Sequence, residues 1–123
     1  MRVLIADVEP RVRRALRVLL MRQPDLEIVG EAADAQQLLL QTAEMRPDLV
    51  LLDWRLTRPV GEQLLTDLQE VCPGLRVVAL SGRPEERGAA LSAGANGFAC
   101  KCDAAPPLLA AIDDCRPLQD TAG

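Results

Sequence analysis

Leu49-Val50-Leu51-Leu52-Asp53 decides the fold: four consecutive aliphatic residues close on a carboxylate. A short apolar run that does not alternate with polar residues reads as a strand covered on both faces. The same shape recurs at Val3-Leu4-Ile5-Ala6, which ends in Asp7. Leu75 to Leu80 is a further run of this kind and ends at Ser81-Gly82, while Gly97 to Cys100 forms a short one leading to Lys101. Leu26-Glu27-Ile28-Val29-Gly30 supplies the remaining strand, second in chain order.

Between these runs the apolar period changes to that of a helix. Val12, Ala15, Leu16, Leu19 and Leu20 recur at helical spacing, with Pro10 suited to the first turn and Pro24 beyond the last. Asp34 is placed to cap a second helix with Leu38, Leu39 and Ala43 inward, stopping before Pro47. A third spans 61–71 on Leu64, Leu65 and Leu68 and ends at Pro73-Gly74; a fourth spans 85–93 and closes at Gly94. The last opens at Pro106-Pro107 and aligns Leu108, Ala111, Ile112 and Cys115. Five strands alternating with five helices define a doubly wound α/β domain, a parallel sheet with helices on both faces. The domain is expected over 1–115, with 116–123 as a polar C-terminal tail or the start of a linker.

The chain has 123 residues, enough for one domain, and 49% of them are hydrophobic. Trp54 and Phe98 are its only aromatic rings, so the core must be aliphatic. A net charge of -4 argues against a large nucleic-acid surface, and no direct nucleic-acid binding is expected. Arg11, Arg13, Arg14, Arg17 and Arg22 make the first helix basic, which reads as a solvated face before it reads as a docking face. No apolar run approaches a membrane span, and the N-terminus lacks a secretory layout; a soluble cytoplasmic protein is expected. Cys72, Cys100, Cys102 and Cys115 fit no zinc spacing and the chain has no His, so they read as ordinary small residues of a reducing compartment.

In doubly wound sheets, ligands sit beyond the carboxyl ends of the strands. The residues there are Asp7, Asp53, Ser81 and Lys101. Two carboxylates suit Mg²⁺, a hard cation that prefers oxygen, while hydroxyl and ammonium groups suit phosphoryl oxygens. Of 14 basic residues only Lys101 is a lysine, and it falls where a compact point charge could reach a phosphate.

Ile5-Ala6-Asp7, Leu51-Leu52-Asp53-Trp54-Arg55, Ala79-Leu80-Ser81-Gly82 and the stretch from Gly94 to Lys101 resemble, in order and spacing, the blocks of response-regulator receiver domains. The similarity covers residues 2–115 and is nearest to receivers that precede a helix-turn-helix domain of the LuxR type, as Val29-Gly30-Glu31-Ala32 also suggests. The resemblance implies a flavodoxin-like (βα)₅ three-layer sandwich with strand order 2-1-3-4-5. It implies that Asp53 accepts a phosphoryl group from a sensor histidine kinase, and that Asp7, Asp53 and the main-chain carbonyl of Arg55 hold Mg²⁺. Ser81 and Lys101 would bind the phosphoryl group, and Ser81 and Phe98 would form the switch. The output face would be helix 4, strand 5 and helix 5, used for homodimerisation or docking. No catalysis is expected beyond the domain's own phosphorylation and dephosphorylation. A flavodoxin-like cofactor binder is disfavoured by the absence of a glycine-rich loop after the first strand.

The sequence departs from this family where a second acidic residue normally follows Asp7, for here stands Val8. Val8 cannot ligate a metal; Glu9 is the candidate replacement, and weak Mg²⁺ binding is expected. Thr57 and Val60 also depart from the usual loop after the acceptor. The competing expectation is a degenerate receiver that works as an interaction module without phosphorylation.

Overall fold

The computed structural model describes residues 1–58, 62–101 and 105–115. The expectations for Val60, Cys102 and the 116–123 tail lie outside these residues. In chain order the elements are β1 (Arg2–Ala6), α1 (Pro10–Met21), β2 (Glu27–Ala32), α2 (Ala35–Met45), β3 (Leu49–Asp53), α3 (Glu62–Val71), β4 (Arg76–Ser81), α4 (Arg87–Ser92), β5 (Gly97–Cys100) and α5 (Ala105–Asp114). Short 3₁₀ turns at Trp54–Thr57 and Pro84–Glu86 follow β3 and precede α4.

The five strands form one sheet in the order β2-β1-β3-β4-β5, every pairing parallel. The expected doubly wound fold and strand order are both found. β3 is flanked by β1 (Ala6 opposite Leu52) and by β4 (Asp53 opposite Leu80), so the ends of β1, β3 and β4 lie side by side.

Alternate strand residues serve opposite faces. Val3, Ile5, Leu49 and Leu51 pack with Leu16 and Leu20 of α1 and with Leu108 and Ile112 of α5. Leu4, Ala6, Val50 and Leu52 pack with Leu38 of α2 and with Leu64 and Leu68 of α3. Both faces of β3 are therefore buried, which is why its sequence is a continuous aliphatic run. β2, at the sheet's edge, is mostly half-buried and carries Glu27 and Glu31 accordingly.

Local chemistry explains most element ends. Pro10 opens α1, where its missing N–H costs nothing. The Asp34 carboxylate accepts from the Gln37 N–H at 2.8 Å and caps α2. Gly94 follows α4 at a φ of +116°, a conformation that glycine adopts without strain. The expected helix over 85–93 is instead a 3₁₀ turn followed by the short α4. The Glu86 N–H bonds to the Arg83 carbonyl at 3.0 Å, which keeps this first turn tight. Cys72 and Cys115 are buried free thiols, as expected, whereas Cys100 is held in a disulfide, contrary to the expectation of reduced cysteines throughout.

Candidate functional site

Asp7 follows β1, Asp53 and Ser81 end β3 and β4, and Lys101 follows β5, so the parallel register delivers all four to one edge of the sheet. Asp7, Asp53 and Ser81 are buried, at 0%, 1% and 4% exposure. The Lys101 ammonium bridges the two carboxylates, 2.7 Å from Asp7 Oδ2 and 3.2 Å from Asp53 Oδ1. Asp53, Ser81, Lys101 and Glu9 border a cleft of about 350 Å³ that opens to solvent.

Backbone N–H groups fix the carboxylates. Glu9 N–H donates to Asp7 Oδ1 at 2.8 Å, and Val8 N–H donates to Asp53 Oδ2 at 3.3 Å. Arg55 N–H donates to Asp53 Oδ1 at 3.1 Å, which is the turn that opens the 3₁₀ segment after β3. Val8 thus keeps a main-chain role at the site while its side chain is 45% exposed. Arg13 supports the loop from below, its Nη1 donating to the carbonyl of Asp7 at 2.7 Å.

The Arg55 side chain also enters the cluster. Its Nη2 lies 3.0 Å from Asp53 Oδ2, 3.1 Å from Glu9 Oε2 and 3.6 Å from Asp7 Oδ1, and its Nε also donates to Asp53. Opposite, the Ser81 hydroxyl donates to Glu86 Oε1 and accepts from the Arg83 N–H at 3.0 Å. Glu86 is paired in turn with Arg58 at 2.6 Å.

These contacts drive the two buried carboxyls in opposite directions. Burial raises the Asp7 carboxyl above its ordinary range; the Lys101 and Glu9 N–H bonds only partly offset it, and the Asp53 charge adds to the rise. Burial would raise Asp53 as well. There the Arg55 side-chain and backbone hydrogen bonds, the Lys101 charge and the Val8 N–H prevail, and its carboxyl is held below the ordinary range. Asp53 is therefore a buried anion at the border of the cleft, with Arg55 and Lys101 on its oxygens; the anion is the charge state a carboxylate nucleophile needs.

Sequence reasoning finds Asp7, Asp53, Ser81 and Lys101 because strand ends alone bring them together. It places Glu9 near the cluster, and the Glu9 carboxylate does reach it, through Arg55 and not through a direct contact with Asp7 or Asp53. Phe98 is half-buried on β5 and packs against the cluster built on α2 and α3. Thr57, buried, closes its turn by donating to the Trp54 carbonyl at 2.6 Å. The side chain of Arg55, Glu86 and Arg13 are missed. Their only signals are proximity, Arg55 two residues after Asp53 and Glu86 five after Ser81.

The oxygen donors suit a divalent cation in kind: Asp7, Asp53, Glu9 and the Arg55 carbonyl are the hard ligands Mg²⁺ prefers. Among the described residues, no group of three or more acidic, His or Cys side chains is arranged to hold a metal. A guanidinium already lies between the carboxylates.

A parallel five-stranded sheet with paired carboxylates, a hydroxyl and a lysine at its carboxyl edge is the architecture of a phosphoryl-accepting signalling domain. The family model of the response regulator receiver domain matches residues 3–113, and the chain belongs to that family. It is 33% identical over 115 residues to the DNA-binding transcriptional activator DevR/DosR of Mycobacterium tuberculosis, covering 92% of this chain and 53% of that protein. It is 28% identical over 113 residues to the response regulator protein VraR of Staphylococcus aureus, covering 90% of this chain and 54% of that one. The chain spans about half the length of the curated relatives it matches.

Among solved structures, a LuxR-family two-component response regulator from Aurantimonas sp. SI85-9A1 superposes with a TM-score of 0.81 at 29% identity, covering 91% of this chain and 81% of that one. The response regulator domain of Thermotoga maritima CheB superposes with a TM-score of 0.80 at 26% identity, covering 94% and 95%. The molecule is thus a receiver domain of a two-component response regulator, similar to receivers of the LuxR type. No helix among its described residues is long and apolar enough to cross a membrane.

Proposed function

We propose that this receiver accepts a phosphoryl group on Asp53 from a sensor histidine kinase and transmits the change through α4, β5 and α5. The observation that carries this reading is the Asp53 carboxylate: buried, held anionic, and at the border of a cleft that Ser81 and Lys101 also line. One Asp53 carboxylate oxygen attacks phosphorus and forms the new P–O bond. The P–N bond of the donor phosphohistidine breaks, its electron pair stays on the imidazole nitrogen, and that nitrogen takes up a proton. Lys101 then pairs with a phosphoryl oxygen, and Ser81 turns to donate to another.

Receiver domains generally hold Mg²⁺ at this acidic pocket. Here Asp7, Asp53, the main-chain carbonyl of Arg55 and Glu9 would hold it weakly; when bound, the ion neutralises charge between an anionic nucleophile and an anionic donor. The domain catalyses nothing beyond its own phosphorylation and dephosphorylation. It works in the cytoplasm, homodimerises through the α4-β5-α5 face, and does not itself contact nucleic acid. The output we propose is transcription regulation, as in the DNA-binding relative DevR/DosR.

A second reading, a receiver that works as an interaction module without phosphorylation, is favoured by Val8 in place of an acid. Intact-mass analysis after incubation with acetyl phosphate decides between them. A single phosphoryl adduct that vanishes in Asp53→Asn supports the switch. No adduct with either Mg²⁺ or chelator present leaves the interaction module.

A further inference from the structure

The guanidinium of Arg55 stands among the carboxylates that a receiver normally turns toward its metal ion. Its Nη2 reaches Asp53, Glu9 and Asp7, and its Nε reaches Asp53 again. We propose that Arg55 is the resident cation of this site, taking the electrostatic place of the divalent ion and permitting phosphorylation of Asp53 without metal. The proposal rests on the reading of Asp53 as the phosphoryl acceptor and adds to it the identity of the cation.

Charge balance supports the exchange. The two buried carboxylates, Asp7 and Asp53, face two side-chain cations, Lys101 and Arg55; the third carboxylate on Arg55, Glu9, is 56% exposed, and its charge is largely screened by solvent. An acidic residue in place of Val8 would add one negative charge, and a divalent ion in place of the guanidinium would add one positive charge. Val8 and an inward Arg55 therefore belong together: the loss of one acid is matched by a cation of lower charge. A guanidinium also keeps its charge at every physiological pH and presents several donors in one plane, so it can hold carboxylate oxygens and then phosphoryl oxygens by the same fork. At 46% exposure, the Arg55 side chain has room to pivot from one set of oxygens to the other.

The same geometry makes Arg55 a competitor of Mg²⁺, because an incoming ion must displace it from Asp53 and Asp7. Removing it should tighten Mg²⁺ binding by about tenfold, the combined worth of a few partly screened ion pairs.

The test titrates Mg²⁺ into the wild-type domain, Arg55→Met and Arg55→Lys, reading thermal midpoint and the fluorescence of Trp54, which directly follows Asp53. In parallel, adduct formation from acetyl phosphate is followed by intact mass in Mg²⁺ and in EDTA. The expected result is tighter Mg²⁺ binding in Arg55→Met by about tenfold. Wild type should form its adduct in EDTA within a few-fold of its rate in Mg²⁺, and Arg55→Met should need the metal. Arg55→Lys keeps the charge without the fork and should fall between them. Equal Mg²⁺ affinity in wild type and Arg55→Met, or a wild-type adduct that forms only with Mg²⁺, overturns the proposal. Absence of adduct in every condition would instead overturn Asp53 as acceptor and with it metal-free phosphorylation, while the Mg²⁺ titrations would still decide whether Arg55 occupies the cation's place.

Discussion

Replacing Glu86 by glutamine should release Ser81 toward the phosphoryl site, and the size of the release follows from one hydrogen bond. A serine hydroxyl has a single proton to donate, and that of Ser81 is given to Glu86. Ser81 cannot donate to a phosphoryl oxygen until it leaves. Glu86 is 18% exposed in its side chain and is held below the ordinary carboxyl range, chiefly by the Ser81 bond against the effect of burial, so the acceptor is a carboxylate. A hydrogen bond to a charged group is worth roughly 1.5–3 kcal/mol and one between neutral groups roughly 0.5–1.5. Glu86→Gln keeps the shape and removes the charge, so it should weaken the restraint by about 1 kcal/mol and favour the inward Ser81 by about fivefold. Affinity for beryllofluoride, a mimic of the phosphoryl group, reads that shift through Trp54 fluorescence. Loss of a nearby negative charge would by itself favour an anionic ligand, so the measurement is made as a double-mutant cycle with Ser81→Ala. The fivefold share that depends on Ser81 should disappear when Ser81 is absent, leaving only the electrostatic share. A gain that survives Ser81→Ala unchanged, or no gain at all, refutes the idea that Glu86 restrains the hydroxyl.

Two further outcomes are expected. Leu51→Ala, at a fully buried position of the central strand, should cost about 3 kcal/mol and lower the melting temperature by about 10 °C; a loss under about 1 kcal/mol by urea unfolding would contradict this placement. The Glu86 carboxyl titrates lower in the folded chain than in the unfolded one, so its stabilising contribution is complete above the unfolded-chain value and is lost as pH falls through the folded value. Denaturant unfolding should therefore show that Glu86→Gln loses less stability than wild type between about pH 5 and pH 3, and parallel curves would count against it.

What could be read from sequence was what depends on the strand ends. An unbroken run such as Leu49 to Leu52 requires cover on both faces, and parallel strands carry Asp7, Asp53, Ser81 and Lys101 to a common edge whatever the intervening loops do. Val8 was visible as an absent carboxylate, because a missing ligand is a matter of residue type. The Arg55 guanidinium was not visible: the family resemblance gives Arg55 a role through its carbonyl alone, and nothing in residue type says whether a long side chain folds back on a residue two positions earlier or extends into water. Glu86 was hidden for a related reason. Periodicity over 85–93 favoured one continuous helix, which would have aimed Glu86 by helical geometry; the 3₁₀ turn at Pro84–Glu86 aims it at Ser81 instead.

Arg55 and Glu86 together change what phosphorylation has to accomplish. Every group that would receive a phosphoryl group already has a partner: Asp53 has Arg55 and Lys101, Lys101 also has Asp7, and Ser81 has Glu86. A phosphoryl group arriving at Asp53 does not fill a set of unmet hydrogen bonds. In the proposed switch it would exchange one satisfied set for another, with Lys101 and Arg55 moving from carboxylate to phosphoryl oxygens and Ser81 leaving Glu86. The free energy of such an exchange is a difference between similar terms, and it is smaller than the free energy of meeting buried groups that had no partner. How far one covalent change at Asp53 would move a two-state equilibrium is set by how that difference itself differs between the two states. The resting site is held by charges paired from within the chain, and in the proposed switch pairs of the same kind would replace them.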